Sequence, residues 1–165
     1  MNSLAKMKLL QIIPRNERDC GVADYSRILA ERFRKAHGTS TRFAIASQSV
    51  NSLNPLDAFP VSLMVKREVS LGEIATGENC ILLHYANYGY AKRGCPIWLL
   101  AGLRKWKKDQ PGGRLVTMFH ELYAKGKPWQ SSFWTSPLQR RICREMARLS
   151  DEVVTNMEGN AQILS

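Results

Sequence analysis

Two neighbouring stretches decide the fold: residues 8–13 read KLLQII, and residues 21–38 read GVADYSRILAERFRKAHG. The first stretch is apolar except for one glutamine, which is typical of a strand buried on both faces of a sheet. In the second stretch Val22, Tyr25 and Leu29 recur at helical spacing, and its last residue is a glycine of the kind that ends helices. A buried strand that leads into an amphipathic helix predicts a parallel β-α-β unit.

The same alternation continues to the end of the chain. Further apolar runs predict strands at residues 41–46, 61–65, 80–85, 114–119 and 152–155. Helical patterns predict one turn at 71–76, a helix over 95–108 with Pro96 in its first turn, and a helix that begins at Ser136-Pro137. These elements predict an α/β fold, a Rossmann-like, doubly wound, mostly parallel sheet with helices on both faces, as a single domain over residues 1–165.

Composition narrows the class of protein. The chain has 165 residues, of which 44% are hydrophobic and 23% charged, and this excludes a disordered chain or a disulfide-dense miniprotein. Its four cysteines and three histidines have no metal-ligand spacing, so we expect reduced thiols and no metal. No apolar run approaches the ~20 residues that span a bilayer. We therefore expect a soluble cytoplasmic protein, at most peripheral on the inner face of a membrane.

The net charge of +10 indicates a basic surface that attracts anions. Most of the excess lies after residue 80, in the cluster at 104–108 and in four arginines between 140 and 148. These clusters are typical of solvated helix faces, but they also suit an anionic membrane or a nucleic acid. No zinc finger, RNA-binding motif or clear helix-turn-helix favours the nucleic acid.

Polar or glycine residues follow four of the predicted strands. They are residues 15–21 after the first strand, 87–90 after the strand at 80–85, His120 and Glu121 after the next, and Asn156 after the last. Because the carboxyl ends of parallel strands meet at one edge of a sheet, we expect these residues to converge on one rim, where ligands bind in such folds.

Three features of this rim could carry chemistry. Gly21 begins a helix, so its backbone can approach an anion closely, although it could equally be a plain turn glycine. His120 stands at a strand tip, where an imidazole can exchange a proton near neutral pH or serve only as a structural group. The run GYAKRG at residues 89–94 has phosphate-loop spacing but lacks the following lysine and hydroxyl residue, which argues against a nucleotide triphosphatase. The dinucleotide fingerprint G-x-G-x-x-G is absent, which argues against a nicotinamide cofactor.

Several short motifs together resemble family-4 glycosyltransferases. They are CGVADY at residues 20–25, HYANYGYAKRGCPIWLL at 84–100, FHEL at 119–122 followed by KPW at 127–129 and FW at 133–134, and SDEVVTN at 150–156. The resemblance covers nearly all of the chain, and it corresponds to the N-terminal, acceptor-side half of that family. It implies one half of a GT-B fold, with the C-terminal nucleotide-sugar-binding domain absent.

The resemblance also implies roles for particular residues. It assigns His120 to catalysis at the transferred sugar, and it assigns Glu121 to the acceptor. The remaining positions divide into a donor-diphosphate group, Arg15, Cys20, Gly21 and Val22, and an acceptor group, Asn87, Tyr88, Gly89 and Tyr90.

The function expected from this resemblance is retaining sugar transfer from a nucleotide sugar to a sugar, polyol or lipid-linked acceptor. The enzyme would need no metal and no further cofactor, and this chain, with one wall of the cleft, would be inactive alone. Its partners would be the nucleotide sugar, the acceptor and a second glycosyltransferase domain. The alternatives are a non-catalytic anion- or glycan-binding module and a basic binder of nucleic acid or membrane surfaces.

Overall fold

The strand that KLLQII predicts lies inside a six-stranded parallel sheet. The computed structural model of the protein describes residues 7–15, 20–46, 59–64, 68–122 and 131–155. The strands are β1 (Lys8–Ile13), β2 (Ser40–Ile45), β3 (Val61–Leu63), β4 (Cys80–Ala86), β5 (Arg114–Glu121) and β6 (Glu152–Thr155). Their order is β3-β2-β1-β4-β5-β6, and all five neighbouring pairs are parallel. This is the doubly wound order, so the predicted fold class is confirmed.

Five helices are described between the strands. They are α1 (Gly21–His37), α2 (Glu68–Ile74), α3 (Asn87–Tyr90), α4 (Ile97–Asp109) and α5 (Ser131–Leu149). Helix α1 ends as predicted at Gly38, whose φ of 63° is the left-handed conformation that favours glycine after a helix.

Several of the helical predictions need correction. Helix α5 begins five residues before Ser136, so Pro137 lies inside it and not in its first turn. A proline removes one backbone hydrogen bond, and a long amphipathic helix tolerates that loss near its start because its apolar face is still buried. The short helix α3 falls where the sequence predicts a polar loop, and α2 is longer than the predicted single turn.

Helices cover both faces of the sheet. On one face, Ile81 and Leu115 of the strands pack with Leu103 and Trp106 of α4 and with Met146 of α5. These residues are at most 2% exposed.

On the other face, α1 packs on the first two strands through Ala23 and Ala30, which lie against Ile13, Phe43 and Ile45. The chain thus leaves β1 toward one face and leaves β4 toward the other. A crevice opens at the carboxyl edge between these two adjacent strands, which is the topological switch point of the fold.

Candidate functional site

A pocket of about 280 Å³ lies at this switch point. It is formed by the end of β1, the start of α1, the β4–α3 junction and the end of β5. Its lining contains seven of the ten predicted site residues, together with two that the sequence did not single out, Pro14 and Ala86; the seven are Arg15, Cys20, Gly21, Val22, Tyr88, Gly89 and Glu121. The expected convergence on one rim is therefore present for these residues.

The N-terminus of α1 opens into the pocket without a side-chain cap. Cys20 precedes the helix in an extended conformation and makes no capping hydrogen bond through its side chain. The amides of Ala23 and Asp24 both donate to the Cys20 carbonyl, at 2.9 and 3.1 Å. The amides of Gly21 and Val22 precede these two bonds and have no partner within the helix. With the positive end of the helix dipole, they make this wall of the pocket suitable for an anion.

Gly21 leaves open space at that wall. A Cβ built on Gly21 would meet no atom within 4 Å. The neighbouring side chain of Arg15 is exposed and adds a cation at the end of β1. Opposite them lies the exposed carboxylate of Glu121, which can accept hydrogen bonds from hydroxyl groups.

Gly89 is required for the shape of the pocket, because a Cβ at this position would lie 2.4 Å from Cβ of Pro14. We expect Gly89→Ala to push α3 away from the end of β1 and to lower the free energy of unfolding by about 1–3 kcal/mol, the usual cost of overpacking. Gly72→Ala is the matched control, since a Cβ at Gly72 in α2 meets nothing within 4 Å and alanine favours a helix. Urea unfolding of the two variants measures the difference; equal stabilities would contradict the expected clash.

Two of the predicted site residues, Asn87 and Tyr90, lie beneath the pocket and not on its lining. Tyr90 is fully buried, and its hydroxyl lies 3.1 Å from the Ile12 carbonyl oxygen and 2.9 Å from that of His84, so it links the ends of β1 and β4. Asn87 is 1% exposed, and its Oδ1 accepts from the Tyr88 amide at 2.8 Å. Their contact with a ligand stays a prediction, whereas their positions give both of them a structural role.

His120 also lies beside the pocket and does not line it. The register of β5 against β4 shifts so that Phe119 pairs with Tyr85 and Glu121 with Ala86, which leaves His120 as the extra residue of a bulge. Its half-buried ring is directed toward α1, where it lies edge-on to Tyr25 with ring centroids 5.8 Å apart. The predicted role of His120 in catalysis remains a prediction.

The ring of His120 stacks on the ring of His84, and the two rings share a hydrogen bond. The ring centroids are 5.4 Å apart, and Nδ1 of His84 lies 3.1 Å from Nε2 of His120. His84 is fully buried. Its other nitrogen, Nε2, lies 2.8 Å from Oε1 of the buried Gln11. Sequence reasoning did not connect these three residues, although Gln11 and His84 each interrupt an otherwise apolar strand.

Burial keeps both imidazoles neutral. Desolvation, followed by the nearby charge of His120, lowers the pKa of His84 to about 3. Desolvation also lowers the pKa of His120. Near neutral pH the pair therefore carries no charge, and it can accept and donate hydrogen bonds without attracting an anion.

Four of the eight cations in the two predicted basic clusters form ion pairs within the part of the chain that the structure describes. Arg104 and Arg148 contact Glu145, at 2.6 and 3.2 Å. Lys105 contacts Asp109 in the next turn of α4. The side chain of Lys107 reaches a carboxylate oxygen of Asp151 at 2.7 Å, and this pair connects α4 to the residue before β6. This pairing favours the interpretation of the clusters as solvated, ion-paired helix faces.

The described residues offer neither a membrane span nor a metal site. None of these helices is both long and apolar enough to cross a membrane. The same residues contain no group of three or more histidine, cysteine or acidic side chains placed to hold a metal ion.

Comparisons with known proteins give matches of structure only, because no protein-family model and no curated protein matches the chain. A nucleoside-diphosphate-sugar epimerase from Staphylococcus aureus is similar to it at 12% identity with a TM-score of 0.57, covering 90% of this chain and 50% of that one. An exported protein from Burkholderia pseudomallei is similar at 14% identity with a TM-score of 0.50, covering 86% and 66%. A uronate dehydrogenase from Agrobacterium tumefaciens, complexed with NAD, is similar at 15% identity with a TM-score of 0.48, covering 85% and 56%.

The comparison with the epimerase corrects the resemblance to family-4 glycosyltransferases, because the structure that is similar to this chain is that of an epimerase and not of a glycosyltransferase. The assignments to sugar transfer and to that class of enzyme are therefore wrong. The expectation that no cofactor binds is corrected with it, because it followed from the same resemblance. The physical reason is that CGVADY and FHEL fall at the β1–α1 turn and at the end of β5, where any doubly wound fold places glycine and polar residues. At these identities the comparisons establish a Rossmann fold, and the chain spans about half the length of the epimerase.

Proposed function

We propose that the chain is a nucleotide-binding Rossmann domain that holds a nucleotide diphosphate in the switch-point pocket. The observation that carries the proposal is the arrangement of three features around one pocket: the uncapped N-terminus of α1, the open space at Gly21 and the exposed cation of Arg15. The epimerase with a TM-score of 0.57 acts, by its description, on a nucleoside-diphosphate sugar, which is a ligand of the same chemistry.

The orientation of the ligand follows from the charges on the two sides of the pocket. The diphosphate lies against the amides of Gly21 and Val22, which donate hydrogen bonds to its oxygens at the positive end of the helix. The guanidinium of Arg15 neutralises part of its charge with charge-assisted hydrogen bonds. The carboxylate of Glu121 repels phosphate, so the ribose hydroxyls face this side of the pocket.

The residues present fit the diphosphate of NAD better than they fit the whole dinucleotide. The volume of about 280 Å³ is close to the lower limit of ligand pockets, so it takes a diphosphate and the adjoining ribose. NAD, when bound, would supply a hydride acceptor. The role of this chain is to bind and orient the diphosphate, and we assign no reaction to it.

A reducing, cytoplasmic location suits this proposal. The four cysteines are free thiols, two of them buried. Free thiols persist in the reducing compartment in which nucleotides are also abundant.

Calorimetric titration with ADP, UDP and NAD, with adenosine as the ligand that lacks phosphate, tests the proposed function. We expect the three diphosphates to bind and adenosine not to bind. Arg15→Ala is expected to weaken the binding of ADP by about tenfold or more, because a charged hydrogen bond contributes ~1.5–3 kcal/mol. Arg32→Ala, at an exposed position in the fourth turn of α1, is the matched control and should bind as wild type does. Failure of all three diphosphates to bind, or equal affinities of wild type and Arg15→Ala, would refute the proposal.

A further inference from the structure

A buried chain of three side chains crosses the sheet next to the pocket. It runs from Gln11 on β1 through His84 on β4 to His120 on β5, with contacts of 2.8 and 3.1 Å. Gln11 and His84 are fully buried, and only His120 is partly exposed. Tyr25 of α1 lies edge-on to both rings, with centroids 6.2 Å from that of His84 and 5.8 Å from that of His120, and holds them from the helix side.

The amide oxygen at one end gives the chain a direction. Oε1 of Gln11 can only accept, so Nε2 of His84 carries the proton that it donates to Gln11. A neutral imidazole carries one proton, and Nδ1 of His84 is therefore an acceptor. Nε2 of His120 must then carry the proton of the second hydrogen bond. The remaining nitrogen, Nδ1 of His120, is left without a proton.

The bulge in β5 places the ring of His120 at the carboxyl edge of the sheet. His120 is the residue that has no partner on β4, and the next residue, Glu121, already lines the switch-point pocket. Burial keeps the pKa of His120 below its usual range, so the ring stays neutral near pH 7.

We propose that His120 is a hydrogen-bond-accepting site at this edge, with Nδ1 as its acceptor atom. Gln11 and His84 are the positioning residues that hold its ring in this tautomer. A neutral acceptor of this kind takes a hydrogen-bond donor, such as a hydroxyl or ammonium group, and not a phosphate. The site thus goes beyond the proposed binding of a diphosphate, because it prefers a hydrogen-bond donor and not an anion.

The test is a nitrogen-15 NMR experiment on the full chain at pH 7, in which each imidazole nitrogen reports whether it carries a proton. The chain has only three histidines, and the exposed His37 serves as an internal reference for an unrestrained ring. We expect His120 to show one tautomer, with a protonated Nε2 and an unprotonated Nδ1. A protonated Nδ1, or averaging between tautomers like that of an unrestrained ring, would overturn the proposal.

A variant of Gln11 distinguishes a positioning role of this side chain from a role in packing alone. Gln11→Met keeps the volume of the side chain but removes the acceptor of His84, and it also removes a buried Nε2 that has no partner among the described residues. We expect the fold to persist and the tautomer of His120 to become mixed or reversed. An unchanged tautomer in Gln11→Met would show that the hydrogen bonds from Gln11 through His84 do not position His120.

Diethyl pyrocarbonate, which acylates unprotonated and accessible imidazole nitrogens, provides a chemical test of the same site. We expect His120 to react at a rate comparable with that of His37, whereas the buried His84 stays unmodified. A resistant His120 in the folded wild type would overturn the proposed accessibility of the acceptor atom. Neither experiment uses a nucleotide, so their outcome is independent of the proposed function.

Discussion

Gly21→Asp is expected to abolish diphosphate binding and to leave the fold at least as stable as that of wild type. The two effects have opposite signs because the helix dipole attracts the new carboxylate, whereas a bound diphosphate repels it. In the free protein, a carboxylate in the first turn of α1 faces the positive end of the helix dipole, which stabilises a helix by ~0.3–1 kcal/mol. The added side chain meets no atom within 4 Å, so it introduces no strain.

In the complex the same carboxylate would occupy the space that we assign to the diphosphate. Two like charges about 4 Å apart near a protein surface repel by roughly 4 kcal/mol. We therefore expect the affinity for ADP to fall by at least about 100-fold, which corresponds to a loss of ~2.7 kcal/mol. Calorimetry measures the affinity, and urea unfolding of the same sample measures the stability.

Gly112→Asp is the matched control for this prediction. It makes the same change of side chain and charge at a glycine whose Cβ would also meet nothing within 4 Å. Gly112 lies in the turn before β5, at the amino edge of the parallel sheet, and thus at the end opposite to the pocket. This variant should bind ADP as wild type does. If Gly21→Asp kept the wild-type affinity, the pocket at the start of α1 would not be the diphosphate site.

The strands were predictable because they contain short apolar runs, which are buried in β1 and β4 and exposed in β6. The bounds of β1 and β6 agree with the predicted ones, and β4 and β5 extend one and two residues further. Helix α5 could not be placed correctly, because Pro137 is a strong local signal for a helix start and tertiary packing overrides it. Helix α3 is a single turn of four residues, and too short to have a periodic pattern.

The sequence predicts which edge of the sheet holds the site, but it does not predict which side chains contact one another there. Residues that follow parallel strands meet at one rim, and the pocket brings seven of the predicted site residues together. The position of His120 beside the pocket depends on a bulge in β5, which changes the direction of one side chain and leaves no pattern in the sequence. The contact between His84 and Gln11 joins residues 73 positions apart, so it depends on the strand order.

Acidification from pH 7 to pH 5 is expected to destabilise the wild type by about 2 kcal/mol through His84 alone. Burial lowers the pKa of His84 to about 3 in the folded protein, whereas an unfolded histidine titrates near 6.5. Between these two values the unfolded state binds more protons than the folded state, so stability rises with pH and is lost as pH falls below about 6.5. By pH 3 the loss reaches the order of 4 kcal/mol, since one pKa unit corresponds to ~1.4 kcal/mol.

The comparison of wild type with His84→Gln isolates this effect, because glutamine keeps hydrogen-bonding groups but does not titrate. The difference in unfolding free energy between the two proteins should shift by about 2 kcal/mol in favour of the variant from pH 7 to pH 5. The pKa of Asp151 is lowered, mainly by the side-chain hydrogen bond from Lys107, so this carboxylate stays ionised across the window and does not contribute. His37→Gln removes an exposed imidazole and controls for the loss of a histidine in general. A difference between wild type and His84→Gln that stays constant from pH 7 to pH 5 would mean that the folded protein can protonate His84, and that the ring is not held neutral between α1 and the sheet.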